Sequence, residues 1–405
     1  MTKRARILVL TSGPLCRHPR AFRAAQTLGL AGYDVTALTV ATRPEFEQVD
    51  QRLLDGAAFR KCALPLGIRQ SATRAATWLA RKAAARGIQS LRAFGPYVPL
   101  RARARAFAAD LTLAHTELGL CVARDLMRQG RRVAADFEDW HSEDLLPEAR
   151  RSRPLRLLRE VECDLLKGAT FTSTTSESLA SALATIARSP KPLVLTNSLP
   201  LQPNPLPRAS ASEIRLVWFS QTIGPGRGLE AFVQAWALTK TPSRLRLLGA
   251  IAPDYRSSLL RDLPADRARN LEFVAPLEPR QVPGFVAQHD LGLALEPSTP
   301  ASRNLTITIK LLQYLNAGVG VLATSTAGQR EAIGRAAGAG VLIDTANPAS
   351  LAQLLDELFA DRNRVVEMGR AARHAAETTY CWEREAPLLV QAVERALNQT
   401  PSIRA

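Results

Sequence analysis

Thr306 to Thr324 constrains this chain more than any other segment. It reads as a short helix, a glycine stop at Gly318, then a buried strand. Lys310 and Gln313 are one helical turn apart and share a face. Ser325 to Glu331 reads as the start of another helix, here Thr326 onward, whose first N–H groups suit a phosphate. This order sets ordered polar groups beside the carboxyl edge of an α/β sheet, where such folds bind ligands. It points to a nucleotide-diphosphate pocket.

A chain of 405 residues, 46% hydrophobic, can fill two domains. No apolar run reaches the roughly 18 residues of a membrane span, and Met1 to Arg6 lead directly into a strand without a signal-peptide core. The five cysteines are scattered and form no CxxC pair, so a reducing cytoplasm is expected and a zinc site or disulfide framework is not.

The formal charge is +16, unevenly spread. No acidic residue lies between Asp55 and Asp110, whereas Arg69, Arg74, Arg81, Lys82, Arg86 and five further arginines up to Arg105 do. From Ala72 to Phe94, Trp78, Leu79, Ile88, Leu91 and Phe94 alternate with the arginines. Two readings stay open for residues 69–105: an interfacial helix docking on anionic lipid, or a solvated helix packed on the first sheet. No nucleic-acid module accompanies the charge.

Two strand–helix series are legible. Ile7 to Leu10, a helix from Pro19 to Leu30 and a strand from Val35 to Val40 form a βαβ unit. Strands at Leu111 to Ala114, Arg132 to Asp136, Thr170 to Ser173 and Leu193 to Leu195 continue it. A stretch with four prolines, Asn197 to Ser212, reads as a linker. The second series opens at Ile214 to Phe219 and ends in long helices. The expected division is 1–198, a linker 199–212, a second domain 213–380 and a final helical segment 381–405. Two α/β domains joined in this way imply a cleft.

Gly224-Pro225-Gly226-Arg227-Gly228 is a turn that lets backbone approach an anion. His115 follows a strand at the ligand edge. It can contact a sugar or simply cap the strand end. Gly13 follows the first strand in a turn, and Arg17, His18 and Arg20 come just after it. They read either as contacts to a charged acceptor or as a basic helix start. Asp136, Glu138, Asp139, Trp140 and their neighbours to Asp144 suit sugar hydroxyls, a salt-bridge cluster or a metal. No GxSxG, HExxH or GK[ST] phosphate loop occurs.

In order and spacing, Leu8 to Gly13, Ala114 to Glu117, Thr175 to Glu177, Phe219 to Glu230, Lys310 to Gly318 and Thr379 to Glu383 resemble the group 1 retaining glycosyltransferases. The resemblance implies the GT-B architecture: two Rossmann-like domains facing across a cleft, with a C-terminal helix crossing back. It implies transfer from a UDP- or GDP-linked sugar, with retention and without metal or other cofactor, to a glycan or lipid-linked acceptor. The first domain takes the acceptor. It assigns His115 and Glu117 to the sugar, Arg227 and Lys310 to the diphosphate, and Gln313 to the ribose. Gly13, Gln221, Gly226, Leu277 and Thr326 complete the donor site, with the base near Val274 to Leu277. Arg17, Asp136, Glu138, Asp139 and Trp140 are acceptor candidates. The chain departs from the family at Gln221 for arginine, and at Leu305 and Gln313 for two glutamates. A sugar-nucleotide epimerase and a non-catalytic sugar or membrane-surface binder are the rival readings. The expected location is the cytoplasm, peripheral on the inner membrane face.

Overall fold

The computed structural model describes residues 4–64, 69–203 and 213–399. The chain forms two compact units, Met1–Leu195 with Ala386–Ala405, and Thr196–Glu385. Most of the expected linker, residues 204–212, lies outside the described residues.

The first unit holds seven strands: β1 (Arg6–Leu10), β2 (Asp34–Val40), β3 (Arg60–Leu64), β4 (Leu111–Ala114), β5 (Val133–Phe137), β6 (Phe171–Thr174) and β7 (Leu193–Val194). They pair in parallel in the order β3-β2-β1-β4-β5-β6-β7. The central strands are almost wholly buried, which matches their continuous apolar runs. β3 went unread in the sequence because it is a half-buried edge strand.

The second unit repeats the plan with β8 (Ile214–Ile223), β9 (Ser243–Ile251), β10 (Leu271–Val274), β11 (Leu291–Ala294), β12 (Gly320–Thr324) and β13 (Gly340–Ile343). Their order is β10-β9-β8-β11-β12-β13, again all parallel. Both are doubly wound Rossmann-like sheets. In each, the strand order reverses beside the first strand of the unit, between β1 and β4 and between β8 and β11. Crevices open at such reversals, outside the carboxyl ends of the strands.

The second crevice is widened by its own strands. β8 pairs with β11 only at Leu216 and Val217, then runs on beside β9 through a register shift between Phe219 and Thr222. The Tyr314 hydroxyl lies 3.1 Å from the Leu293 carbonyl and 3.3 Å from the Val217 carbonyl, so it donates where the two strands part. The helix Ile309–Asn316 and the glycine stop are as read, with Gly318 at φ +64. The long C-terminal helix Trp382–Asn398 starts in the second unit, and from Ala386 onward the chain groups with the first.

Candidate functional site

In the second unit the strand-order reversal brings the turn after β8, the segment after β11, the start of helix Ile309–Asn316 and the end of β12 to the carboxyl edge of the sheet. Gly226 and Gly228 both sit in the left-handed region, at φ +74 and +75, where a side chain is strained. They bend the chain around half-buried Arg227, and Arg303 Nη1 ties the turn by donating to the Gly226 carbonyl at 3.3 Å. Gly228 begins the helix Leu229–Ala237.

Lys310 is not a free cation. The residue is 6% exposed, and its ammonium donates to Glu296 Oε1 at 2.8 Å, above the Trp218 ring at 5.5 Å. The sequence reading missed Glu296, which lies two residues past β11. Gln313 is buried with its Nε2 lacking any hydrogen-bond partner.

Thr326 is the N-cap of helix Ala327–Arg335, as expected, but the helix start is largely closed to a phosphate. Ala327 N donates to Asn304 Oδ1 at 3.1 Å and Gln329 N to Thr326 Oγ1 at 3.4 Å, so two of the amides meant for a ligand are engaged. Gln221 is exposed within the irregular stretch of β8, not in the turn, because the strand runs four residues beyond the expected end at Phe219. Leu277 follows β10, the edge strand, two strands away from the reversal.

In the first unit the crevice rests on a buried network. Arg20 Nε and Nη2 donate to Asp136 Oδ2 and Oδ1 at 2.6 and 2.8 Å, and Nη1 donates to the Leu195 carbonyl at 2.8 Å. His115 Nδ1 lies 2.9 Å from Asp136 Oδ2, and Ser173 Oγ donates to Oδ1 at 2.6 Å. Burial alone raises the Asp136 carboxyl, but Arg20 and His115 beside it hold it far below the usual range. Asp136 and Arg20 are therefore spent on each other and are not acceptor contacts. His115 begins helix Thr116–Arg128 with its Nε2 buried and unpartnered.

The next residue, Thr116, has φ +67, costly for a β-branched side chain at about 1–3 kcal/mol. Its hydroxyl accepts from Ser12 N at 3.1 Å, tying the loop after β1 to the loop after β4. Gly13 packs closely against a side chain of its own loop. A Cβ there would sit 2.9 Å from His18 Nε2, so the glycine clears space for that ring.

A hollow of about 480 Å³ opens over this floor, lined among others by His18, Glu117, Glu138, Asp139, His141 and Arg153. Glu117 is ion-paired with Arg153, so it does not present a bare carboxylate. Trp140 caps the short 3-10 turn His141–Glu143 and is not among the lining residues. Arg17 is exposed and stacks on Phe46 at 5.3 Å, away from the lining, which corrects its acceptor assignment. Burial lowers His18 to about 4, helped by His115 and Arg17, and lowers His141 to about 4 against the pull of Asp136. Both rings are thus neutral at pH 7. His141, whose Nε2 is also buried and unpartnered, was legible only as part of the acidic cluster.

The basic stretch divides differently from its sequence pattern. The helix Arg69–Ala84 exposes Arg74, Trp78, Leu79 and Lys82, with Trp78 and Leu79 each 58% exposed. Lys82 lies over the Trp78 ring at 5.6 Å. Phe94, however, is buried in the turn Leu91–Phe94, and Arg81 lines the hollow. No helix among the described residues is long and apolar enough to cross a membrane.

Residues 213–361 match the family model of the glycosyl transferases group 1. A search of curated proteins finds no match. Among solved structures, Anabaena HepE in complex with UDP is 16% identical, covering 96% of this chain and 99% of its own, with a TM-score of 0.68. WaaG, a glycosyltransferase involved in lipopolysaccharide biosynthesis, is 14% identical over 95% of this chain and 99% of its own, TM-score 0.63. A S. aureus TarM mutant in complex with fondaparinux, α-GlcNAc-glycerol and UDP is 7% identical over 98% and 100%, TM-score 0.70. These likenesses establish the fold, a pair of Rossmann-like domains of the GT-B type.

Proposed function

We propose that this chain is a retaining, metal-independent glycosyltransferase whose second unit binds a UDP- or GDP-linked sugar. The observation that carries the reading is the turn Gly224 to Gly228, with Arg227, at the strand-order reversal of the domain that matches the group 1 family. As the glycosidic bond breaks, negative charge grows on the leaving diphosphate. A guanidinium and aimed main-chain N–H groups stabilise it without a metal. Two of the three solved relatives carry UDP.

The first unit is assigned to the acceptor, through the hollow lined by Glu117, Glu138 and Asp139, and Glu117 and His115, which lies beside the hollow's Thr116 and has an unpartnered Nε2, are assigned to sugar hydroxyls. The acceptor class is a glycan or lipid-linked glycan. The exposed Trp78 and Leu79 among Arg74, Lys82 and Arg86 support docking on an anionic lipid surface, and thus a peripheral place on the inner membrane face.

The test is release of UDP or GDP from a panel of nucleotide sugars, with product analysis, for the wild type and Arg227→Ala. Transfer or hydrolysis with the anomeric configuration kept, reduced at least about tenfold in the variant, is the expected result. Formation of an epimeric nucleotide sugar without transfer identifies an epimerase instead. Binding without turnover of any donor identifies a binding protein, and wild-type kinetics in Arg227→Ala removes the phosphate assignment.

A further inference from the structure

We infer that Glu296 and Lys310 act as one unit that reads a hydroxyl on a sugar ring of the donor, and that Lys310 is not a diphosphate cation. The inference rests on the donor reading proposed above and specifies which part of the donor this pair meets.

Glu296 is fixed on three sides. Its backbone N donates to Thr324 Oγ1 at 2.8 Å, and the same hydroxyl donates to the Glu296 carbonyl at 2.7 Å. Gln329 Nε2 donates to Thr324 Oγ1 at 2.9 Å and holds that hydroxyl in place. One carboxylate oxygen, Oε1, takes the Lys310 ammonium at 2.8 Å, with Thr308 Oγ1 at 3.4 Å. Oε2 has no hydrogen-bond partner among the described residues, and Glu296 remains 9% exposed at the carboxyl edge of the sheet. Lys310 keeps two further N–H donors after pairing with Glu296. Gln313, one turn along the same helix, has its unsatisfied Nε2.

The crevice therefore presents an open carboxylate acceptor beside ammonium and amide donors. A hydroxyl both donates and accepts, so it can satisfy Oε2 and Nζ at once. A phosphate oxygen only accepts. It gains nothing from Oε2 and is repelled by it, while the charge of Lys310 is already balanced by Glu296. The carboxylate absent from position 305 is thus supplied from the end of β11. Diphosphate recognition falls to Arg227 and the glycine turn.

Two sugar rings carry such hydroxyls, the ribose and the transferred sugar, and the experiment separates them. Calorimetric titration of the full chain uses UDP, GDP, their 2′- and 3′-deoxy forms, UDP-glucose, GDP-mannose and inorganic pyrophosphate. Glu296→Gln is expected to weaken the natural ligand about tenfold, the scale of one hydrogen bond to a charged group. It is expected to leave pyrophosphate within about twofold, whereas Arg227→Ala weakens pyrophosphate as well. A penalty already present with the nucleoside diphosphate assigns the ribose, and it vanishes on the deoxy form lacking the hydroxyl that is read. A penalty confined to the nucleotide sugar assigns the transferred ring. The wild type titrated with the deoxy forms gives the ribose result without relying on any variant's folding.

Equal or tighter binding of every ligand by Glu296→Gln overturns the inference. So does a loss of pyrophosphate binding in Lys310→Met as large as that in Arg227→Ala. If Arg227→Ala weakens binding while Glu296→Gln does not, only this inference falls. If the wild type binds no nucleotide at all, the donor reading falls with it.

Discussion

The two sheets share one strand order, yet their crevices are finished in opposite ways. In the first unit the ion pair Arg20–Asp136 is sealed in the floor, and Asp136 also holds His115 and Ser173. In the second unit the ion pair Glu296–Lys310 sits at the rim, with one carboxylate oxygen unpartnered and an unsatisfied Gln313 Nε2 nearby. The first arrangement uses its charges to hold loops in place. The second leaves one carboxylate oxygen of its ion pair outside any hydrogen bond among the described residues. Equivalent topology thus says where a site can be, and the residual valences differ in kind: ring nitrogens of His115 and His141 in the first unit, an amide nitrogen of Gln313 in the second.

The sharpest way to break this contrast is Asp136→Asn. It strands the Arg20 guanidinium in the interior, and removing one partner of a buried pair costs about 3–5 kcal/mol. Urea denaturation with a shift below about 1 kcal/mol would show that the floor is not structural.

Glu162 tests the same floor through pH. Its carboxylate accepts from Ser142 N at 3.0 Å, inside the turn that carries His141, and burial raises it from 4.5 to about 7. The folded chain then keeps a proton that the unfolded chain loses at about 4.5, so stability falls as pH rises from about 4.5 to 7 and levels off above. The full loss is at most about 3.5 kcal/mol. Glu162→Gln is expected to flatten that slope and raise the melting temperature at pH 8, and an unchanged slope refutes the assignment.

Gln313→Met addresses the second crevice. Removing a buried donor that has no partner leaves stability within about 0.5 kcal/mol or improves it, while nucleotide affinity drops about tenfold. A large loss of stability with normal affinity would make Gln313 a core residue and erase the distinction between the two crevices.

The smallest expected effect on folding is at the exposed ridge of the first unit. Trp78→Ser with Leu79→Ser should move stability by no more than about 0.5 kcal/mol. Sedimentation with anionic vesicles should fall severalfold, and unchanged sedimentation removes the lipid surface from the proposal.

Much of the fold was readable because it depends on local pattern. Apolar runs gave the central strands, and Gly318 marked the end of its helix. The glycines around Arg227 announced a special turn, and its left-handed φ values explain why. Edge strands β3 and β13 escaped because a half-buried strand lacks the continuous apolar signature. The site was less legible, since its meaning lies in pairing. Arg20 meets Asp136 across 116 positions of chain, and nothing near either residue reveals the other. Lys310 looked like a phosphate cation until Glu296, 14 positions earlier, was found to neutralise it. Likewise the start of helix Ala327–Arg335 looked open until Asn304 was seen to occupy it.

The division of the chain has a consequence for its synthesis. The first unit incorporates residues from Ala386 onward, and Arg132 Nη2 donates to the Gln399 carbonyl at 2.9 Å. The domain that emerges first from a ribosome is therefore the last to be completed, and the intervening domain can mature while the other still waits for its closing helix. Limited proteolysis of a chain truncated after Glu385 should find residues 213–385 resistant and the residues before 196 open to cleavage. Equal protection of both would mean that the final helix is an addition to an already finished domain.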